Sequence, residues 1–303
     1  MQDDDRNDCH VPNVGDIVEA TGGRDNRLHR FIIVLKIGFV FSKSRSLEVP
    51  TFCGRNLFSM HNPWRLLALT SLLTTTCDAL PVTTPIPSTC RISSTAIDFP
   101  KVRTTRASKR PVRIVAFGSS STAGTGASKP SLAYPARLQT MLQKAWGTNS
   151  VLVLNKGVGG NTLFDLMARR QRDVYALKPD LVIVQTSLND ARANVDVEKF
   201  HAQFSLLVRE LRARKIDVLI MDGQYVPEAT RPQRYGLYLQ ATWEVVVNQH
   251  VPIYPRYTKM IQLMSLDGFK QTDLLASDEL HPNDFMYDCT ATGLADMIRK
   301  GAK

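Results

Sequence analysis

The run Ser277-Asp278-Glu279-Leu280-His281-Pro282-Asn283 sets a carboxylate three residues before a histidine. Histidine is the side chain whose ordinary pKa lets it take and give protons near neutrality. A neighbouring carboxylate can fix its tautomer and stabilise the imidazolium that forms. A base held in this way needs a nucleophile and donors for a developing anion, and three further segments offer them. Gly118-Ser119-Ser120-Ser121-Thr122-Ala123-Gly124-Thr125-Gly126 presents hydroxyls where a strand gives way to a helix, a place at which backbone N–H groups favour negative charge. Asn155-Lys156-Gly157-Val158-Gly159-Gly160-Asn161-Thr162 contains a glycine pair that lets the backbone approach a ligand. Thr186-Ser187-Leu188-Asn189-Asp190 carries, at Asn189, a side-chain amide that can donate to an oxyanion.

Each segment alone also has a plainer reading. The serine run could cap a helix or cradle a phosphate, the glycine pair could be a turn, and Asn189 could be a cap or an Asx turn. Asp190 reads as structural. No Gly-Lys-Ser/Thr follows the serine run, and Ser120 lacks glycines at the GxSxG spacing, so neither a Walker loop nor a nucleophile elbow is present. The other histidines compete poorly. His10, His29 and His61 lie in irregular sequence, His201 sits beside the apolar face of a helix and His250 ends one.

The elements that must position these groups are legible as periodic runs. Val112–Phe117, Val151–Leu154, Asp180–Thr186, Asp217–Met221 and Val251–Tyr254 read as strands. Between and after them, Tyr134–Trp146, Leu163–Leu177, Val197–Arg214, Arg231–His250, Thr258–Met264 and Phe285–Lys300 read as helices. Continuous apolar strands alternating with helices imply a parallel sheet covered on both faces. Such a sheet places its site beyond the carboxyl ends of its strands, where all four segments converge. The fold expected is a three-layer α/β/α sandwich with a mainly parallel, flavodoxin-like sheet over residues 111–303. The stretch Gln224–Ala276 then shapes the site, and its aromatic run from Tyr225 to Tyr257 reads as core in preference to a sugar platform.

The first 110 residues read differently. Residues 1–59 show no sustained period. Residues 60–79 combine Arg65, the apolar core Leu66–Leu73 and then small residues, a pattern like a secretory signal if translation begins at Met60. Export to a periplasm or the exterior follows in that case, and a cytoplasmic site otherwise. Residues 80–110, rich in Thr, Pro and base, read as a linker. The net charge of +10 is shared between the two parts, and five of the bases crowd into Lys101–Arg110. No nucleic-acid-binding motif accompanies it, so no nucleic-acid partner is expected, nor is stable membrane insertion of the domain. None of the five cysteines forms a CxxC pair, so no metal site is expected. Cys289 is expected as a buried, free helix residue, and no disulfide is indicated.

These four blocks, in this order, resemble those of the SGNH hydrolase superfamily, the GDSL esterases and lipases. Phe117-Gly118-Ser119-Ser120 resembles the first block and implies Ser120 as nucleophile. Gly160 matches the second, whose glycine N–H helps form an oxyanion hole. Asn189 matches the third, the side-chain oxyanion donor. Asp278-Glu279-Leu280-His281 matches the DxxH block, implying His281 as base and Asp278 as its orienter. Two positions depart from the pattern, for Ser119 stands at the family's aspartate and Ser187 at a glycine. Chemistry alone does not separate Ser120 from Ser121. The resemblance implies hydrolysis of carboxylic esters with short acyl groups, including O-acetyl groups on a carbohydrate, through an acyl-enzyme and with no cofactor. A thioesterase or lysophospholipase on the same site, or a silent binding protein retaining the fold, are the other readings.

Overall fold

The five apolar runs form five parallel strands. The computed structural model describes residues 85–92 and 97–303; residues 1–59 and the signal-like segment 60–79 lie outside the described residues. Strands β1 (Val112–Gly118), β2 (Val151–Gly157), β3 (Leu181–Gln185), β4 (Asp217–Met221) and β5 (Ile253–Tyr254) lie in the order β2-β1-β3-β4-β5. All four pairings are parallel. This is the flavodoxin-like order, with its topological switch between β1 and β3.

The two-residue period of a strand sends alternate side chains into two layers. Val115, Phe117, Val182, Val184, Val218 and Ile220 pack on one face. There they meet α4 (Leu163–Asp173), α6 (Val197–Ala213) and α7 (Tyr235–Gln249). Ile114, Ala116, Leu181, Ile183, Leu219 and Met221 pack on the other. Their partners are α1 (Pro100–Ala107), α3 (Tyr134–Trp146) and α10 (Asp284–Gly301). Helix α6 shows the logic, since Phe200, Phe204, Leu207, Val208 and Leu211 recur at helical spacing and all are buried. Its start is set by Asp196, whose carboxylate accepts the Lys199 N–H at 2.9 Å. Within Gln224–Ala276, Tyr235, Tyr238 and Tyr254 are buried, so this part of the aromatic run is core. Two further helices, α8 (Arg256–Ser265) and α9 (Gln271–Leu274), lead back to the DxxH segment.

The stretch expected to be a linker is part of the domain from residue 85 on, where it is described. Helix α1 docks under the sheet because Phe99 and Val102 are buried and its polar groups meet acceptors at the strand starts. The Val102 N–H donates to Asp217 at 2.9 Å and the Thr105 hydroxyl to Asp180 at 2.7 Å. Burial pushes the Asp217 carboxyl up to about 6. The bases of this stretch mask a helix that is held by hydrogen bonds and two apolar anchors. Cys90, on a 3₁₀ turn at Ser88–Cys90, is disulfide-bonded to Cys289 of α10. Cys289 is buried in a helix as expected, but it is not free. The pairing joins residues 199 apart in sequence, and no local spacing betrays it.

Candidate active site

Ser120 opens α2 (Ser120–Ala123), a single helical turn that begins two residues after Gly118, the last residue of β1. The three consecutive serines face different ways. The Ser119 N–H and hydroxyl both donate to the Gln185 side-chain oxygen, at 3.0 and 3.1 Å, and Thr122 donates to the same oxygen at 3.0 Å. Ser121 is buried and its hydroxyl accepts from Arg256 at 3.0 Å. Ser120 alone of the three meets the histidine, with Oγ 2.8 Å from His281 Nε2. The other ring nitrogen, Nδ1, lies 2.6 Å from Asp278 Oδ2. In such a chain the imidazole can take the hydroxyl proton while the carboxylate steadies the resulting cation.

The DxxH segment is a closed loop. Leu275 and Pro282 bridge antiparallel, and the Ala276 N–H donates to the His281 carbonyl at 2.8 Å. Asp278 Oδ1 accepts the Leu280 and His281 N–H groups at 3.0 and 2.9 Å, which leaves Oδ2 for the imidazole. Partial burial, the largest influence, raises the Asp278 pKa. The His281 side chain and these backbone donors outweigh it, so the carboxyl sits below its ordinary value. Gln224, just past β4, donates to the Leu280 carbonyl and braces the loop from the sheet side. The histidine can come this close because residue 126 is glycine. At φ +92°, a Cβ there would lie 2.8 Å from the His281 Cβ and 2.5 Å from the Pro282 carbonyl. Asn283 then caps α10 by accepting the Met286 N–H at 3.0 Å.

The anion-binding side is assembled from the ends of β2 and β3. Gly160 adopts φ +77°, a conformation that favours glycine. Among the described residues, no backbone hydrogen bond uses the N–H of Ser120 or of Gly160. Asn189 lies in α5 (Leu188–Arg192) and donates one amide hydrogen to the Asn161 carbonyl at 3.0 Å, tying the two loops together. It is not the cap of α5, whose N-terminal contacts are made by its neighbour. Asp190, fully buried, accepts from the Thr186 hydroxyl at 2.7 Å and from the N–H groups of Ser187 at 3.2 Å and Leu163 at 2.7 Å. Desolvation raises its pKa against those donors. Ser187, at the position where a glycine is usual, has φ 100° and ψ −51°. A side chain there costs about 1–3 kcal/mol, and its hydroxyl lies 3.0 Å from that of Thr242 on α7.

Four supporting residues were not singled out from the sequence. Gln185 anchors Ser119 and Thr122. Gln224 braces the DxxH loop, and Arg256 holds Ser121. Arg169, on α4, donates to the carbonyls of Gly118 and Lys156 at 2.9 Å each and to Asn161 Oδ1 at 2.7 Å, so one guanidinium joins the ends of β1 and β2 to the glycine loop. Asp173, paired with Arg172 and Arg169, is drawn down to about 2. The sequence signal for Gln185 is a polar residue closing an otherwise apolar strand; the two arginines carry none.

A model of the non-GDSL lipase-like family matches residues 87–303. The chain belongs to that family. Its fold and its four blocks place this non-GDSL lipase-like protein among the SGNH hydrolases, a superfamily of ester hydrolases, and the family's name suits a first block that reads Gly-Ser-Ser. It is 25% identical over 182 residues to an acetylxylan esterase of Geobacillus stearothermophilus, covering 55% of this chain and 77% of the relative. A solved lipase/acylhydrolase from Enterococcus faecalis is similar in structure, with TM-score 0.51 and 25% identity over 61% of this chain and 93% of that one. A solved two-domain esterase active on acetylated mannans shares the fold with TM-score 0.58 and 20% identity over 69% of this chain. The chain spans only 54% of that esterase's length.

Proposed function

We propose that the protein hydrolyses carboxylic esters through an acyl-enzyme, with O-acetyl groups on carbohydrate as the substrate class. The hydrogen-bonded series Ser120–His281–Asp278 carries the proposal. Ser120 Oγ attacks the ester carbonyl carbon while His281 Nε2 takes its proton. The carbonyl oxygen, now an anion, accepts from the N–H groups of Ser120 and Gly160 and from the Asn189 amide. Collapse of the tetrahedral species breaks the bond to the alcohol oxygen, which receives the proton from His281. Water, deprotonated by His281, then attacks the acyl-serine, and Ser120 leaves with that proton. The acetyl-carbohydrate assignment draws on the relatives active on acetylated xylan and mannan.

The test is acetate release from acetylated xylan and acetylated mannan, beside a series of aryl esters and thioesters of increasing acyl length. Release of acetate with a preference for short acyl chains is the expected result. Turnover only of thioesters or of long acyl chains would overturn the substrate class. The rate should fall as the medium is made more acidic. The Asp278 carboxyl is held below its ordinary value, and a general base accepts the Ser120 proton only in its unprotonated form. A flat profile between about pH 5 and 8 would remove His281 as the base. Asn189→Ala should lower kcat by about 100- to 1000-fold, the usual effect of losing one oxyanion donor, and a kcat within twofold of wild type would take Asn189 out of that role.

We also propose that translation begins at Met60 and that residues 60–79 then direct the domain outside the cytosol. Disulfides such as Cys90–Cys289 persist in oxidising compartments. A start at Met60 would omit Cys9 and Cys53, and cleavage after residue 79 would remove Cys77 and leave those two cysteines alone. N-terminal sequencing of the secreted protein tests this; a mature chain that still begins at Met1 would end the idea.

A further inference from the structure

The base of the α2 turn rests on a buried guanidinium. Arg256 is only 1% exposed, at the first position of α8, and it is the largest fully buried side chain among the described residues. Its Nη1 donates to the Ser121 hydroxyl at 3.0 Å and its Nε to the Gly223 carbonyl at 3.4 Å, while Nη2 has no partner. Among the described residues it forms no salt bridge. Asp222, also buried, feels its charge, but desolvation pushes that carboxyl up to about 7 and one of its oxygens is likewise unpartnered. The other titratable groups within reach of the charge are Tyr134, Tyr235, Tyr254 and Tyr287, phenols that burial keeps neutral. A buried cation without an ion pair and with an unused donor is costly. Violations of this kind concentrate where a site needs them.

What this guanidinium holds is the residue next to Ser120. Helix α2 has four residues, too few to keep its own orientation, and its side chains are pinned from two sides. Gln185 takes Ser119 and Thr122 toward β3, and Arg256 takes Ser121 toward the floor below. We propose that Arg256 is a positioning residue for the nucleophile, acting through Ser121 so that the turn presents the Ser120 hydroxyl alone to His281. The role rests on the Ser120 reading above and adds to it a reason for the serine that follows. It also explains why the charge is tolerated, because the guanidinium supplies a fork of donors with fixed geometry that a shorter or neutral side chain cannot reproduce.

The experiment is a double-mutant cycle on the full chain with a short aryl acetate, using Arg256→Met, Ser121→Ala and the pair together. A displacement of about 1 Å in a nucleophile can cost about 100-fold in rate. Each single variant should therefore lose about 10- to 100-fold in kcat, with KM within about twofold of wild type. The double variant should lose no more than the worse single one, because both break the same link. Arg256→Lys, which keeps a donor and the charge, should recover part of the loss. Losses that multiply in the double variant, or a Ser121→Ala variant at wild-type kcat, overturn the inference. If Arg256→Met fails to fold, Ser121→Ala and Arg256→Lys decide in the same way: a lower kcat at unchanged KM in both upholds the link, and wild-type kcat in Ser121→Ala ends it. Failure of the underlying reading looks different, since then Ser120→Ala itself would keep its turnover.

Discussion

Replacing Ser120 with alanine should lower turnover of a short-chain aryl ester by about 10⁴- to 10⁶-fold and abolish labelling by a fluorophosphonate. The size of the effect follows from the geometry. Ser120 Oγ is 2.8 Å from His281 Nε2, and neither neighbouring hydroxyl can substitute without breaking its own contact. Ser119 is engaged by Gln185 and Ser121 by Arg256. Ser119→Ala removes one of three donors to the Gln185 oxygen and leaves Ser120 where it is, so labelling should persist and kcat should stay within about tenfold. Ser121→Ala should still be labelled, because it keeps the nucleophile. His281→Ala should match Ser120→Ala in kcat, since a nucleophile and its base act as one unit and their losses do not add. Whatever rate survives in these variants reports binding and the oxyanion donors alone. Normal turnover or normal labelling by Ser120→Ala would show that the serine run had been assigned to the wrong member.

How much of this arrangement the sequence discloses depends on whether a residue's partner is local. The DxxH segment is legible because its carboxylate and histidine are three residues apart and the loop closes on itself through Leu275 and Pro282. The strands and long helices are legible because period two and period 3.6 are properties of the chain. Asp217–Met221 and Tyr134–Trp146 have the bounds expected. Strand β2 instead continues to Gly157, beyond Leu154, since its pairing with Gly118 at the end of β1 extends it through polar residues. What stays illegible depends on distant partners. Gln185, Arg169 and Arg256 look like ordinary polar residues until the fold brings strand ends to them, and α1 lacks a strong apolar stripe because hydrogen bonds to Asp180 and Asp217 help to hold it. The separation of Ser120 from Ser121 belongs to this second class. The sequence holds three equivalent hydroxyls, and only the positions of Gln185 below one side and Arg256 below the other distinguish them.

Removing the Cys90–Cys289 disulfide should be the largest single loss of stability. It closes a loop over a sequence separation of 199, for which the chain-entropy account gives about 5 kcal/mol and experience with native disulfides about 2–5 kcal/mol. At this domain size that corresponds to a fall in Tm of about 5 to 15 °C. The local packing argues for the upper part of that range. Cys90 and Cys289 are fully buried in one apolar cluster with Met260, Leu263, Leu274 and Met286, so two freed thiols would sit in a core shaped for a bond. Met260 and Leu263 lie on α8, which begins at Arg256, and Leu274 immediately precedes the DxxH loop. The bond thus ties the start of the described chain to the scaffold under the base, and heating the Cys90→Ala/Cys289→Ala variant should abolish turnover before the sheet unfolds. Thermal melts followed by ellipticity and by residual activity, with and without a reductant, measure both effects. A double variant with the wild-type Tm, or a reductant that leaves the activity melt unmoved, would mean that apolar burial in this cluster is sufficient without the covalent link.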